Sequence, residues 1–483
     1  MATRTARRVA GVSRSASSSA SGAAFQRAAQ VPPRPSGPTS ESPRLRLAAG
    51  RTGDHIAVLG FLQSVFHGPS AAEFHAQLDE PGYQPPDRLI VKHGDATAAH
   101  LRLARQTIRV GEATLAAARF MDLATAQEFR SRGVATALVG AGQRAAAERG
   151  VLVGITRTSA PGVFARHGWS MCGEQAYSTA APRAVLAELA AERCETAREP
   201  VWPPKCEQPL VVRPLRRVEL TGVMRLYEAR SRALAGWPAR SEEYWDWLLS
   251  RGACDRVYIA STAPDSASMA ALAESIVGYA CARQSRVVEL VTSPARPDAG
   301  VQLFERVCAD SREEDGWTVR LDAPADAALH AVLCRAGGRL CASEESTGEA
   351  YMAKVLDPLA VLRKLSMVIS LRAESAGLRL PLELGLEVRA GGESRQGAAA
   401  GVVERYRIKL SANGASVETG GPSRQSVAIA MADLTPLILG YRGAAELAQC
   451  GRLEASGAKA LAAATAIFPG GLWSRPVWDD LLA

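Results

Sequence analysis

The chain has 483 residues, 47% of them apolar and 22% charged, enough for about three domains with cores of their own and too apolar for a mostly disordered protein. No uncharged apolar run approaches the ~18 residues that cross a bilayer, which excludes a transmembrane helix. Of the formal net charge of +8, residues 1–45 carry +6 (seven Arg against Glu41), and the rest has no basic stripe interleaved with aromatics, so specific nucleic-acid binding is not expected.

Residues 1–44 are rich in Arg, Ser, Ala and Pro and read as a disordered tail or a transit peptide; they lack the apolar stretch of a secretory signal. Apolar spacing predicts a helix over 55–66, strands over 88–92, 100–105 and 114–125, and an Ala-rich helix over 134–148 stopped at Gly150. A strand over 151–156 and a helix over 182–197 follow, then a linker marked by Pro200, Pro203 and Pro204. Beyond it come a strand at 210–212, helices over 219–235 and 241–250, and strands over 256–261, 275–282 and 286–292. A helix over 299–311, a strand over 318–321 and a helix over 325–336 close this part. The order of elements repeats that of residues 46–170, an internal duplication with diverged sequence. From about Tyr351 the pattern changes to a helix over 358–372, antiparallel strands over 382–389, 402–409 and 415–418, and helices over 431–439, 444–450 and 458–468.

Nine scattered Cys without Cys-x-x-Cys, and seven dispersed His, argue against a disulfide framework and against a metal site; a reducing cytoplasm fits. The chemistry-bearing stretch is 118–169. A strand ends in Ala126-Gln127-Glu128-Phe129, and Arg130-Ser131-Arg132-Gly133-Val134-Ala135-Thr136 then opens a helix. A tight basic turn at a helix N-terminus presents successive amides and a positive dipole end to an anion, and Gly133 permits close backbone approach. Arg130 and Arg132 add charge that favours a diphosphate. The plainer reading is an ordinary strand-to-helix turn with solvated arginines.

At these residues the sequence resembles the GNAT superfamily of N-acetyltransferases. Arg130, Gly133 and Ala135 match its Arg/Gln-x-x-Gly-x-Gly/Ala loop, and Ala160, Gly168 and Trp169 match its later signature, with Phe164 where Tyr is usual. The resemblance implies that acetyl-coenzyme A is the co-substrate, that backbone groups of Leu123 and Thr125 pair with the pantetheine arm, and that Arg130, Ser131, Arg132, Gly133, Val134, Ala135 and Thr136 hold the diphosphate. It implies direct attack of a small-molecule or peptide amine on the thioester. Phe164 removes the usual tyrosine acid, Arg157 sits where Asn is common, and Arg119 lines up with a frequent base carboxylate. Asp122 is a nearby base candidate, but alternation puts it on the opposite strand face. Tyr177 is considered as a replacement hydroxyl, and His167 and Trp169 as packing groups.

The whole chain resembles the Eis (enhanced intracellular survival) acetyltransferases, carried by Ala432–Gly440, Gly451-Arg452-Leu453-Glu454 and Ile467-Phe468-Pro469 as a sterol-carrier-type signature. The expected fold is α/β (α+β): a catalytic GNAT domain at 45–199, a degenerate GNAT-like domain at 205–350 and an α+β sterol-carrier-type domain with a C-terminal tail at 351–483. In the second half the loop at 293–300 has two prolines and Asp298, so it is expected to bind no coenzyme A. The Eis resemblance implies a homo-oligomer and a C-terminal carboxylate, here that of Ala483, acting as base. The tail with Trp473, Trp478, Asp479 and Asp480 fits docking into a cleft, or simply covering the last domain. A non-catalytic coenzyme A- or lipid-binding protein is the alternative function.

Overall fold

Alternation of apolar and polar residues sets the strands here, but several carry arginine where a core residue would be expected. The computed structural model describes residues 44–196, 210–264, 268–343, 349–390 and 401–481; the expected disordered tail and Ala483 lie outside them. In chain order the first strands are β1 (Leu45–Ala49), β2 (Arg88–His93), β3 (Ala96–Val110), β4 (Ala113–Thr125), β5 (Val153–Thr158), β6 (Ser170–Met171) and β7 (Gln175–Ala180). Then come β8 (Val211–Pro214), β9 (Ala235–Pro238), β10 (Arg256–Ser261), β11 (Ile276–Arg283), β12 (Arg286–Thr292), β13 (Val319–Asp322), β14 (Arg339–Ser343) and β15 (Ala350–Val355).

One sheet runs β1-β2-β3-β4-β5-β15-β6, and a second runs β14-β7-β13-β12-β11-β10-β8. The two have the same internal plan, and their closing strands are exchanged. β7, from the first half, pairs with β13 and β14 of the second sheet. β15, from beyond the second half, pairs with β5 and β6 of the first. Helix Pro182–Thr196 follows β7 and packs Val185 and Leu189 into the core of the second sheet. The expected boundaries at 199/205 and 350 therefore do not follow the sheets: residues 175–196 work in the second and 350–355 in the first. A β-strand reads the same in sequence whichever parallel or antiparallel neighbour it takes, so composition could not reveal the exchange.

The C-terminal region holds β16 (Leu382–Arg389), β17 (Val402–Ser411), β18 (Gly414–Thr419), β19 (Ser426–Ala430) and β20 (Leu453–Ala455), ordered β18-β17-β16-β19-β20. The helix expected over 358–372 is two, Pro358–Lys364 and Ser366–Ser375. Their buried Val361, Leu362, Val368 and Ile369 join Ile108, Val110 and Leu115 of β3 and β4 in one core that also takes in this third sheet. No helix among the described residues is long and apolar enough to cross a membrane.

Candidate functional site

β4 and β5 pair in parallel only at Ala117↔Val153, Ala118↔Gly154 and Arg119↔Ile155. Beyond that the strands diverge, and the last link is the Thr156 hydroxyl donating to the Phe120 carbonyl at 2.8 Å. Divergence leaves one edge of β4 from Met121 to Thr125 with no strand partner among the described residues. A bulge shapes this edge: β3 and β4 pair at Arg102↔Met121 and His100↔Ala124, so Asp122 and Leu123 stand opposite Leu101 alone. Asp122 takes φ of 54°. His100, fully buried, fixes the bulge by donating from Nδ1 to the Asp122 carbonyl at 3.0 Å and accepting on Nε2 from Arg88 Nη1 at 3.3 Å. Burial, then the neighbouring Arg88 charge, pushes its pKa down to about 4.

The bulge also corrects the expected placement of Asp122. Simple alternation put it away from Arg119, but the positive φ resets the side chain, and both residues line one cavity of about 360 Å³. Among the described residues the buried Oδ2 of Asp122 has no hydrogen-bond partner; it lies 3.8 Å from Arg88 Nη1.

After β4 the chain makes a short turn and reaches helix Val134–Glu148, with Ser131 at φ of 60° and Gly133 at 75°. Arg130, Ser131, Arg132 and Gly133 are exposed; Val134 is buried, and Ala135 and Thr136 are half-buried. Among the described residues no acceptor takes the amides of Ser131 through Thr136, and Gly133, the N-cap, offers no side chain of its own. A Cβ at Gly133 would meet nothing within 4 Å. Arg130 Nε donates to the Thr125 carbonyl at 3.2 Å, and Arg132 stacks on Phe129 at 5.7 Å. The Thr125 hydroxyl is buried without a partner among the described residues, and the Leu123 side chain is half-buried. Open amides, a dipole end and an open strand edge fit a diphosphate with an amide-bearing arm.

The matching loop of the second half is closed. Arg296 N–H donates to Ser293 O at 3.0 Å, Ala299 N–H to Arg296 O at 3.2 Å, and Gly300 N–H to Pro297 O at 3.2 Å. Arg296 also pairs with Asp298 at 2.8 Å at the start of helix Asp298–Glu313. Most of the loop's amides are bonded inside the turn, and Pro294 and Pro297 have none to offer.

Phe164, on helix Pro161–Ala165, is fully buried with its ring 5.1 Å from Trp169. Trp169 packs on Phe120, and His167 donates from Nε2 to the Thr136 carbonyl at 2.6 Å, so both are packing groups. Tyr177 does not join the site: it lies on β7 in the second sheet, beneath the Arg320 guanidinium at 3.8 Å.

Sequence reasoning missed what surrounds Arg119. This buried guanidinium pairs with Glu80, which also pairs with buried Arg102. It donates to the Asp479 carbonyl at 2.8 Å and lies 3.7 Å from Asp480. Burial would lower its pKa, but Glu80 and the two aspartates hold it above the ordinary arginine value. Arg157 pairs with Glu349 at 2.5 Å and lies over Tyr351. Asp480 and Leu481 line the cavity with Arg119, Asp122 and Arg157. Ala483 lies outside the described residues. The available signal was the tail that combines Trp473 and Trp478 with Asp479 and Asp480.

Comparison with known proteins agrees with this architecture. The acetyltransferase (GNAT) domain family matches residues 47–172, and the sterol carrier protein domain family matches 401–472. No curated protein matches the chain in sequence. Among solved structures it is similar to a GCN5-related N-acetyltransferase from Anabaena variabilis, at 15% identity over 89% of this chain and 99% of that one, with a TM-score of 0.64. A GCN5-related N-acetyltransferase from Kribbella flavida gives 14%, 89%, 97% and 0.61. Eis1 from Mycobacterium abscessus gives 16%, 89%, 98% and 0.57. The chain has the GNAT acetyltransferase fold with a C-terminal sterol-carrier-like domain.

Proposed function

We propose that this chain, with its GNAT fold, is an acetyl-coenzyme A-dependent N-acetyltransferase of the Eis type acting on a primary amine of a small molecule or peptide. The observation that carries the proposal is the contrast between the two loops: open amides at 131–136 beside a free strand edge, internally bonded amides at 293–300. In this reading the backbones of Leu123 and Thr125 pair with the pantetheine arm. Arg130, Ser131, Arg132, Gly133, Val134, Ala135 and Thr136 hold the diphosphate, and the second half binds none. Acetyl-coenzyme A supplies the activated thioester that the amine attacks.

The amine must lose a proton, and two carboxylates are candidates for taking it. Asp122 lines the cavity beside Arg119. The terminal carboxylate of Ala483 is two residues beyond Leu481, which also lines it, and two extended residues span about 7 Å. A homo-oligomer in the cytoplasm belongs to the same proposal, and light scattering reads the first part. One observation favours a second reading, a coenzyme A- or lipid-binding protein without transfer: buried Phe164 leaves no hydroxyl at the position of the usual acid.

Thermal shift with coenzyme A, then acetyl-coenzyme A with a panel of polyamines and aminoglycosides and thiol detection, separates the readings. Stabilisation with turnover supports the transferase; stabilisation without thiol release from any amine supports the second reading. Removing residues 482–483 tests the terminal base, and an unchanged rate removes it from the mechanism.

A further inference from the structure

The second half uses its loop amides internally, yet it supplies a buried clamp to the C-terminal segment. Arg240 follows β9 and has a fully buried side chain. Its guanidinium donates to both carboxylate oxygens of Glu289, at 2.8 and 2.6 Å, and to both of Asp479, at 3.3 and 2.5 Å. It lies over the rings of Tyr227 at 4.1 Å, Trp245 at 4.6 Å and Trp478 at 5.2 Å. Burial would raise the pKa of Asp479, but Arg240 overcomes that and holds it below the ordinary value.

The grip continues on both sides of Asp479. Arg251 of the second half donates to the Trp478 carbonyl. Arg119 of the first sheet donates to the Asp479 carbonyl at 2.8 Å. Arg475 donates to Asp480 at 3.2 Å and to the Gly236 carbonyl at 3.1 Å, and Trp237 Nε1 donates to the Ser474 hydroxyl at 2.9 Å. An exposed tail covering a domain needs none of these buried charges, which are costly unless fully paired.

We propose that Arg240 and Arg119 are positioning residues: they hold Asp479 so that the chain after it enters the cavity beside Asp122 and Arg157. The degenerate half, which carries Arg240, Glu289 and Arg251, is then the clamp that aims the C-terminus into the acceptor site of the other half. The consequence for catalysis rests on the transferase proposal; the clamp itself does not.

Two measurements on the full chain test it. In the first, carboxypeptidase Y digests wild type and Asp479→Asn, read by intact mass. Wild type is trimmed no further than Leu481, because the segment before it is buried; Asp479→Asn is digested past Trp478 at least about tenfold faster. Wild-type digestion running through Asp479 without a pause overturns the proposal, and this arm needs no variant to fold. In the second, kinetics of Asp479→Asn and Arg240→Lys give kcat down by up to about 100-fold with KM for acetyl-coenzyme A unchanged, as for a misaimed group. Coenzyme A stabilisation stays at wild-type size, which shows that the folded first site remains. Unchanged kcat in a variant that digests faster overturns the positioning role. Absence of turnover in wild type, with the digestion stop in place, refutes the transferase reading and leaves the clamp.

Discussion

Replacing Gly133 by Glu separates the strain of the loop from its electrostatics. Gly133 sits at φ of 75° with open space where a Cβ would go. A side chain there costs about 1–2 kcal/mol of folding stability for the left-handed backbone, with no clash to add. Gly150, just after the same helix, is a matched control: φ is 74°, and a Cβ also meets nothing within 4 Å. Both variants should therefore lose stability in urea unfolding, Gly150→Glu somewhat more, because a carboxylate is favoured at the helix N-terminus and disfavoured at its C-terminal end. Only the carboxylate introduced by Gly133→Glu would face the diphosphate. A carboxylate about 5 Å from one phosphate charge is repelled by roughly 0.8 kcal/mol at the dielectric of water and 3.3 kcal/mol at an effective value of 20. That weakens coenzyme A binding by about 4- to 260-fold, more if both phosphates contribute. Isothermal titration calorimetry of wild type, Gly133→Glu and Gly150→Glu with coenzyme A reads the difference. Equal affinities in the two variants would refute the assignment of the loop.

Three further outcomes follow from the packing. His100 is neutral in the fold down to about 4 against an ordinary 6.5, so between those values the unfolded chain binds a proton that the native state refuses. Its contribution, up to about 3 kcal/mol, is present above pH 6.5 and is lost as pH falls toward 4; His100→Gln should flatten that part of the stability profile in urea titrations, and an unchanged slope would rule His100 out as its source. Gly154→Ala would put a Cβ 2.6 Å from the Trp169 ring, so unfolding free energy should drop by about 1–3 kcal/mol; a neutral result would mean that Trp169 moves freely. The fragment 45–199 lacks β15 and carries β7 without its partners, so it should show no cooperative thermal transition by circular dichroism, and a sharp melt would contradict the exchange.

Local features were legible because their causes are local. The apolar spacing of His55–Phe66 and Val134–Glu148 gave both helices their observed ends. The helix Ala71–Leu78 was missed although Ser70 and Glu73 form a capping box that the sequence displays. What escaped depends on distant partners. Arg88, Arg102 and Arg119 sit buried in strands, and partners from other elements, Gln77, Tyr83 and His100 for Arg88, Glu80 for Arg102 and Arg119, and the tail for Arg119, make that burial tolerable. The bulge at Asp122 is invisible to a period of two, since one extra residue shifts every face after it. The order strand, loop, helix around residues 119–148 could be read because glycine and the helix start are written at the turn itself.

The traded closing strands set a timetable for synthesis. When residues 45–171 have left the ribosome, the outer edge of β5 still lacks the strand that will cover it, and that strand is encoded some 190 residues later. At roughly 5–20 residues per second the wait is about 10–40 s. An uncovered strand edge recruits other chains, so the nascent protein should depend on chaperone shielding through that interval, and slow translation between residues 180 and 350 should lower its yield.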